Sequence, residues 1–308
     1  MKSTPAVQIW SAVPTPLSSD LKVDELSVER MVHAAVHDGI QGLFLAGTCG
    51  EGPWLADREK HVLVKAAVRA AGGRLKIAVQ TSDNSVPRIR DNVQAASAAG
   101  ADYAIIASPA TFLNATPERI VNHFTDAVNA SPLPVGIYDL GKHCPVFIPE
   151  ARLKEIYLLP NVHLVKDSSG SVGRRSAALA ARLEKPSLRL FNGDEFLCKE
   201  YLQAGYDGFM FGGAAAIAPQ LHCIVQLHDA GQVSEVQMVN ATMKETLFGI
   251  YGGKAIACWL TGLKYYMVRR GLFTTTSSFL GYPLTDECRA FIERHVKGLR
   301  APPDTSVQ

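Results

Sequence analysis

The run Val162-His163-Leu164-Val165-Lys166-Asp167-Ser168-Ser169-Gly170 sets a lysine at the end of a short apolar stretch, with small turn-forming residues directly after it. The apolar stretch predicts a buried strand, and Lys166 then stands at its C-terminal end. Desolvation disfavours an ammonium, so a lysine half in a pocket can give up its proton. The free amine can attack a carbonyl carbon and form a Schiff base with a keto acid. A lone strand-end lysine is more often a plain surface charge, so the rest of the chain decides between the two.

Other reactive groups fall at the ends of further predicted strands. Gly47-Thr48-Cys49-Gly50-Glu51 offers a hydroxyl within a glycine-rich turn, Tyr138-Asp139 a phenol, and Asn192-Gly193-Asp194-Glu195 a polar turn. The set holds an amine nucleophile, a phenol, a hydroxyl and backbone that a ligand can approach closely. It contains no Ser/His/Asp arrangement. His33 and His37 could share a helix face, but no HExxH motif or nearby carboxylate pattern supports a metal, so none is expected. The six cysteines are scattered with neither CxxC pairs nor zinc spacing, which predicts reduced thiols in a cytoplasmic protein.

Eight short apolar runs could carry these residues: Gln8–Val13, Gly42–Ala46, Leu75–Gln80, Tyr103–Ala107, Val135–Tyr138, His163–Lys166, Leu188–Asn192 and Gly208–Phe211. Between them lie amphipathic segments at Glu25–His37, Asp57–Ala71, Val86–Ala99, Pro117–Asn129, Pro149–Leu158, Val172–Leu183 and Glu195–Ala204. In the second of these Asp57 is a plausible N-cap, and Gly72-Gly73 stops the helix. A helix-Gly-strand junction recurs at Asp38-Gly39, Ala99-Gly100 and Ala204-Gly205. Strand-helix units about thirty residues apart fit an α/β fold of the (β/α)8 TIM barrel type, whose active site lies at the C-terminal strand ends. A doubly wound sheet is the alternative, but Gly47–Gly52 does not match GxGxxG. Three further helices, Pro219–Ala230, Val233–Tyr251 and Lys254–Gly271, predict a C-terminal helical extension. The expected organisation is a barrel over 1–215, the extension over 216–300 and a disordered tail over 301–308. A hydrophobic share of 47% suits one sizeable core, and a net charge of +2 gives no strong field toward nucleic acid or an anionic membrane. No apolar run reaches the ~18 residues of a membrane span, and Met1–Ile9 lacks the pattern of a signal peptide.

GTCGE at 47–51, the tyrosine of Ile137-Tyr138-Asp139, the lysine of Val165-Lys166-Asp167-Ser168, and Gly193-Asp194-Glu195 together resemble the dihydrodipicolinate synthase/N-acetylneuraminate lyase family. The likeness spans about residues 5 to 298 in order and spacing. It implies a class I aldolase-type barrel, a homotetramer, and no cofactor beyond a covalent imine on Lys166. Its partners would be a small keto acid and an aldehyde. Under the resemblance Tyr138 moves a proton and Thr48 bridges that phenol or binds the carboxylate. Backbone around Gly47, Thr48 and Cys49 holds the keto-acid carboxylate. Cys49 stands where the family has Thr or Ser and is not read as a nucleophile. Gly193, Asp194 and Met210 join the substrate-binding set. Asp194 and Glu195 could equally cap the following helix, and Glu51 is read as fixing its own loop.

Two positions depart from the family pattern. Synthases carry an arginine soon after the strand-five tyrosine; here Asp139-Leu140-Gly141-Lys142-His143 offers Lys142 or His143, neither with an arginine's fork. After strand four the family has a tyrosine pair, whereas Ser108-Pro109-Ala110-Thr111-Phe112 has no phenol, so a relay there would need Thr111 or water. Reversible cleavage of a 2-keto-3-deoxy sugar acid or 4-hydroxy-2-keto acid is therefore expected ahead of dihydrodipicolinate synthesis. A dehydratase or deaminase using the same imine, a non-catalytic keto-acid binder and a metal-dependent aldolase are the other readings.

Overall fold

The computed structural model describes residues 7–298. Eight strands close in sequence order into a barrel: β1 Gln8–Ser11, β2 Gly42–Leu45, β3 Lys76–Gln80, β4 Tyr103–Ala107, β5 Val135–Asp139, β6 Val162–Asp167, β7 Arg189–Asn192 and β8 Gly208–Phe211. Between them run α1 Glu25–His37, α2 Asp57–Ala71, α3 Val86–Ala98, α4 Pro117–Asn129, α5 Leu153–Tyr157, α6 Val172–Glu184 and α7 Cys198–Gln203. The last four helices are α8 Ala214–Asp229, α9 Val233–Ile250, α10 Trp259–Arg269 and α11 Asp286–Lys297. The barrel with a C-terminal helical extension is thus the expected fold. The tail 301–308 lies outside the described residues.

Several local expectations need correction. The N-cap of α2 is Ala56, and Asp57 is the first helical residue, where its charge suits the helix dipole. Gly72 ends that helix with φ 53°, a left-handed cap that glycine adopts without strain. α8 begins at Ala214 and carries Pro219 inside it, although a proline reads from sequence as a helix start. α11 was not anticipated. It opens on a Thr285 cap but is mostly polar, and Cys288 and Ile292 are its buried residues.

Two compact units make up the chain. One comprises residues 7–8 and Ile77–Phe211, the other Ile9–Lys76 and residues 212–298. In the first, Ile89, Phe124, Val128, Tyr157 and Leu190 pack into one core between strands and helices. In the second, Val28, Val32, Leu63, Leu221, Leu247 and Leu263 are fully or almost fully buried.

Three helix-to-strand junctions share one build. α1, α3 and α7 run out to Gly39, Gly100 and Gly205, with φ of 71°, 94° and 87°. Two residues on, Gln41, Asp102 and Asp207 directly precede β2, β4 and β8. Their backbone N–H groups donate to the carbonyls of Ile9, Ile77 and Leu190, at 2.9, 2.8 and 2.8 Å. Their side-chain oxygens accept the N–H of those same three residues, at 2.6, 2.8 and 2.7 Å. Each junction therefore fixes an odd strand to the even strand after it. The β5–β6 pair differs. The Asn161 amide turns back to the Ser131 and Leu133 carbonyls, and the register shifts between Val135 and Gly136.

Candidate active site

Lys166 lies at the end of β6 and is only 4% exposed. It pairs in register with Tyr138 on β5 and with Phe191 on β7. Neighbours in register point to the same side of a sheet, and the Lys166 Nζ stands 4.2 Å from the centroid of the Tyr138 ring. Gly193, after β7, packs against the lysine stem. A Cβ there would stand 2.8 Å from Lys166 Cε, 3.1 Å from its Cγ and 2.0 Å from Ser168 Oγ. Only a glycine fits this position without moving the lysine or the serine. Ser168 Oγ is buried with no hydrogen-bond partner.

The residues that follow Tyr138 and Lys166 are both buried aspartates, paired across the strands and turned to the opposite side. Asp139 takes a two-pronged ion pair from Arg174 on α6, with Nε to Oδ2 at 2.8 Å and Nη2 to Oδ1 at 2.6 Å. Tyr157 on α5 donates its hydroxyl to Asp139 Oδ2 at 2.9 Å, and the Gly141 N–H reaches Oδ1 at 3.0 Å. Burial, with both aspartates nearby, holds the Tyr157 phenol well above its ordinary range. Asp167 accepts the Ser169 N–H at 2.9 Å, the Ser169 hydroxyl at 2.6 Å and the Tyr206 hydroxyl at 2.9 Å. Burial pushes its carboxyl above the usual carboxylate range, and Asp139 adds to that push.

In the other unit the turn after β2 is rigid for reasons legible in its residues. Ala46 and Glu51 both have positive φ, 53° and 56°. A Cβ on Gly52 would stand 1.7 Å from the Ala46 carbonyl oxygen, so the chain can double back here only on glycine. Thr15 Oγ1 donates to the Gly50 carbonyl at 2.6 Å. Glu51 is fully buried and anchors the turn. Its Oε1 pairs with the Lys264 ammonium of α10, and its Oε2 accepts from Ser278 Oγ at 2.8 Å and Phe279 N at 2.6 Å. Thr48 is half-buried on this turn and Cys49 is buried. A Cβ on Gly47 would stand 2.7 Å from the Phe44 ring, so Gly47 also packs tightly.

The remaining candidates are placed as follows. Asp194 caps the 3-10 turn Glu195–Leu197, accepting the Phe196 N–H at 3.0 Å. Met210 is fully buried in β8. Lys142 and His143 are exposed on the 3-10 turn Gly141–His143, and Thr111 is exposed in the loop after β4. Within its unit the fold therefore brings Lys166, Tyr138, Gly193 and Ser168 together. Sequence reasoning missed Arg174, Tyr157, Tyr206 and Lys264. Two of these carry a readable signal. Arg174 shares its buried helix face with Ala178 and Ala181, and Lys264 shares one with Leu260 and Met267. A charge inside an apolar stripe requires a buried partner.

Residues 6–294 match the dihydrodipicolinate synthetase family. Among curated relatives, 4-hydroxy-tetrahydrodipicolinate synthase 2 of Streptomyces coelicolor is 29% identical over 249 residues, covering 80% of this chain and 81% of that protein. Among solved structures, dihydrodipicolinate synthase from Bacteroides thetaiotaomicron superposes with a TM-score of 0.85 at 24% identity, covering 96% of this chain and 99% of the other. CdNal from Clostridium difficile, solved in complex with mannosamine, gives 0.84 at 16% identity with 96% and 99% covered. At these identities the two structures speak for the fold alone. The family's chemistry is that of pyruvate-dependent class I aldolases and lyases, which use a lysine Schiff base and no metal cofactor. No helix among the described residues is long and apolar enough to cross a membrane. Matched over nearly its whole length, and folded as the family folds, this chain belongs to the dihydrodipicolinate synthetase family of lyases.

Proposed function

We propose that the chain reversibly cleaves a 4-hydroxy-2-keto acid, of the 2-keto-3-deoxy sugar acid class, to pyruvate and an aldehyde through an imine on Lys166. The observation that carries this reading is the buried lysine at the end of β6 with a phenol ring 4.2 Å from its nitrogen. The Lys166 amine attacks C2 of the substrate, and water leaves to give the iminium. The Tyr138 hydroxyl takes the proton of the C4 hydroxyl while passing its own to the substrate carboxylate. The C3–C4 bond then breaks, its electron pair moves through C3 to the iminium nitrogen, and the aldehyde departs. Protonation of the enamine at C3 and hydrolysis release pyruvate and return the amine. In this reading Thr48 and the backbone of the 47–50 turn hold the substrate carboxylate, as oriented amides in such turns can. A homotetramer in the cytoplasm belongs to the same reading.

The names of the relatives favour a second reading, condensation of pyruvate with an amino-aldehyde acid in dihydrodipicolinate synthesis. Two features rank it lower. The 140–143 segment has no arginine for a second carboxylate, and 108–112 has no phenol. Lys142 and His143 are exposed and offer single charges rather than a planar fork.

Borohydride reduction in the presence of pyruvate, followed by peptide mass spectrometry, tests the imine. A reduced pyruvyl adduct on Lys166, absent in Lys166→Ala, is the expected result. An unmodified Lys166 in folded protein refutes it. Turnover of 2-keto-3-deoxy acids, set against turnover of pyruvate with aspartate semialdehyde, then separates the two readings.

A further inference from the structure

We propose that Asp167 is a positioning residue that acts through Lys166: its buried carboxylate, held by hydroxyl and N–H donors, favours the cationic forms of the lysine nitrogen, above all the iminium. This rests on the imine reading given above. Asp167 directly follows Lys166 on β6 and is 1% exposed. Its donors are the Ser169 N–H, the Ser169 hydroxyl and the Tyr206 hydroxyl. Among the described residues no cation is in ion-pair contact with it, whereas its neighbour Asp139 is neutralised by Arg174. The cluster behind the two reactive side chains therefore holds two carboxylates and one guanidinium. One negative charge is left over, one residue from the amine.

A buried charge that only neutral donors satisfy is held against a desolvation penalty. The raised proton affinity of Asp167 reports that penalty. Such penalties concentrate where a protein uses the charge. An iminium next door draws on this charge and becomes easier to form and to keep. The groups facing Asp167 are Asp139 on β5, Tyr157 on α5 and Arg174 on α6. From α7 and the residues after it come Tyr201 and Tyr206, with Arg175 and Asp194 acting on these two phenols.

Asp167→Asn tests the charge while keeping the shape. The amide oxygen can still accept from Ser169, and the amide N–H can donate to the Tyr206 oxygen. The Asn variant should melt no lower than wild type, because the penalty of the buried charge is gone. Its turnover should fall on the order of tenfold, the scale for unit charges about 12 Å apart, on opposite sides of a strand, at an effective dielectric of about 20. The pH of half-maximal borohydride trapping with pyruvate should move down by about one unit, the equivalent of that tenfold change. A purely structural role would lower stability and leave the trapping profile where it was.

Tyr206→Phe decides the matter should the Asn variant not fold. It removes one donor, raises the proton affinity of Asp167, and should move the acid limb of turnover to higher pH. An Asn variant with wild-type turnover and an unchanged trapping profile overturns the proposal while leaving the imine intact. No adduct on Lys166 in the wild type overturns the imine reading, and this inference with it.

Discussion

Lys264→Met tests how the turn after β2 is held. Lys264 is fully buried, its ammonium set against Glu51 Oε1 and 2.6 Å from the Ser277 carbonyl. In the Met variant Glu51 keeps the Ser278 hydroxyl and the Phe279 N–H but loses its counter-charge. Breaking one partner of a buried pair costs about 3–5 kcal/mol. At roughly 2 °C per kcal/mol for a chain of this size, the Tm should fall by about 6–10 °C. Glu51→Gln combined with Lys264→Met removes both charges and should recover most of that loss, since a neutral replacement of a buried pair is often harmless. Burial pushes the Lys264 ammonium below its ordinary value, with Glu51 opposing. The native state therefore releases this proton before the unfolded chain does. The stability of the wild type should gain from this group as pH climbs through the depressed value toward about 10.4, the ordinary lysine value. That gain should be missing in Lys264→Met. Scanning calorimetry at neutral and alkaline pH measures both effects. A Met variant that melts with the wild type, with the same pH dependence, would refute the reasoning.

Gly193→Ala should lower turnover on the order of a hundredfold, since its methyl would force the Lys166 stem out of place and small misplacements of reacting groups are that costly; steady-state kinetics alongside a thermal melt will show it. Tyr138→Phe should retain the borohydride adduct on Lys166 but lose about 10²–10⁴-fold in turnover, the range for a removed proton carrier. Arg174→Met leaves Asp139 buried and unpaired and should cost about 3–5 kcal/mol in denaturant unfolding. Arg174→Lys should recover little of it, because one ammonium cannot reproduce the two-pronged contact.

The strands were legible because each is a short, mostly buried apolar run with glycine or proline near its ends. The Tyr103–Ala107 and Gly208–Phe211 bounds agree residue for residue with the structure. Long amphipathic helices such as Glu25–His37 were equally readable. α11 was not, because it buries little and charged residues interrupt its few apolar ones. Within the site, Lys166 and Tyr138 could be found from their places at strand ends. The carboxylates beside them were visible only as residue types. Their partners lie 35 positions away at Arg174 and 39 positions away at Tyr206, distances that no local pattern spans.

The three glycine-acceptor junctions at Gln41, Asp102 and Asp207 bear on how this chain could be remodelled. Each ties a pair of strands at their starts, at the opposite end of the strands from the segments that carry the chemistry. A one-residue slip in a strand would turn every side chain to the wrong face, so these ties guard alignment without taking part in specificity. Segments at the strand ends can then be lengthened, shortened or grafted from a cousin with little danger of misalignment. The β5–β6 pair has a different tie at its start, the Asn161 amide on the Ser131 and Leu133 carbonyls, and at its finish Asp139 and Asp167 are held by Arg174 and Tyr206. Loop transplantation there would disturb alignment and reactivity together, so a designer seeking new aldehyde preferences should begin with the segment after β4.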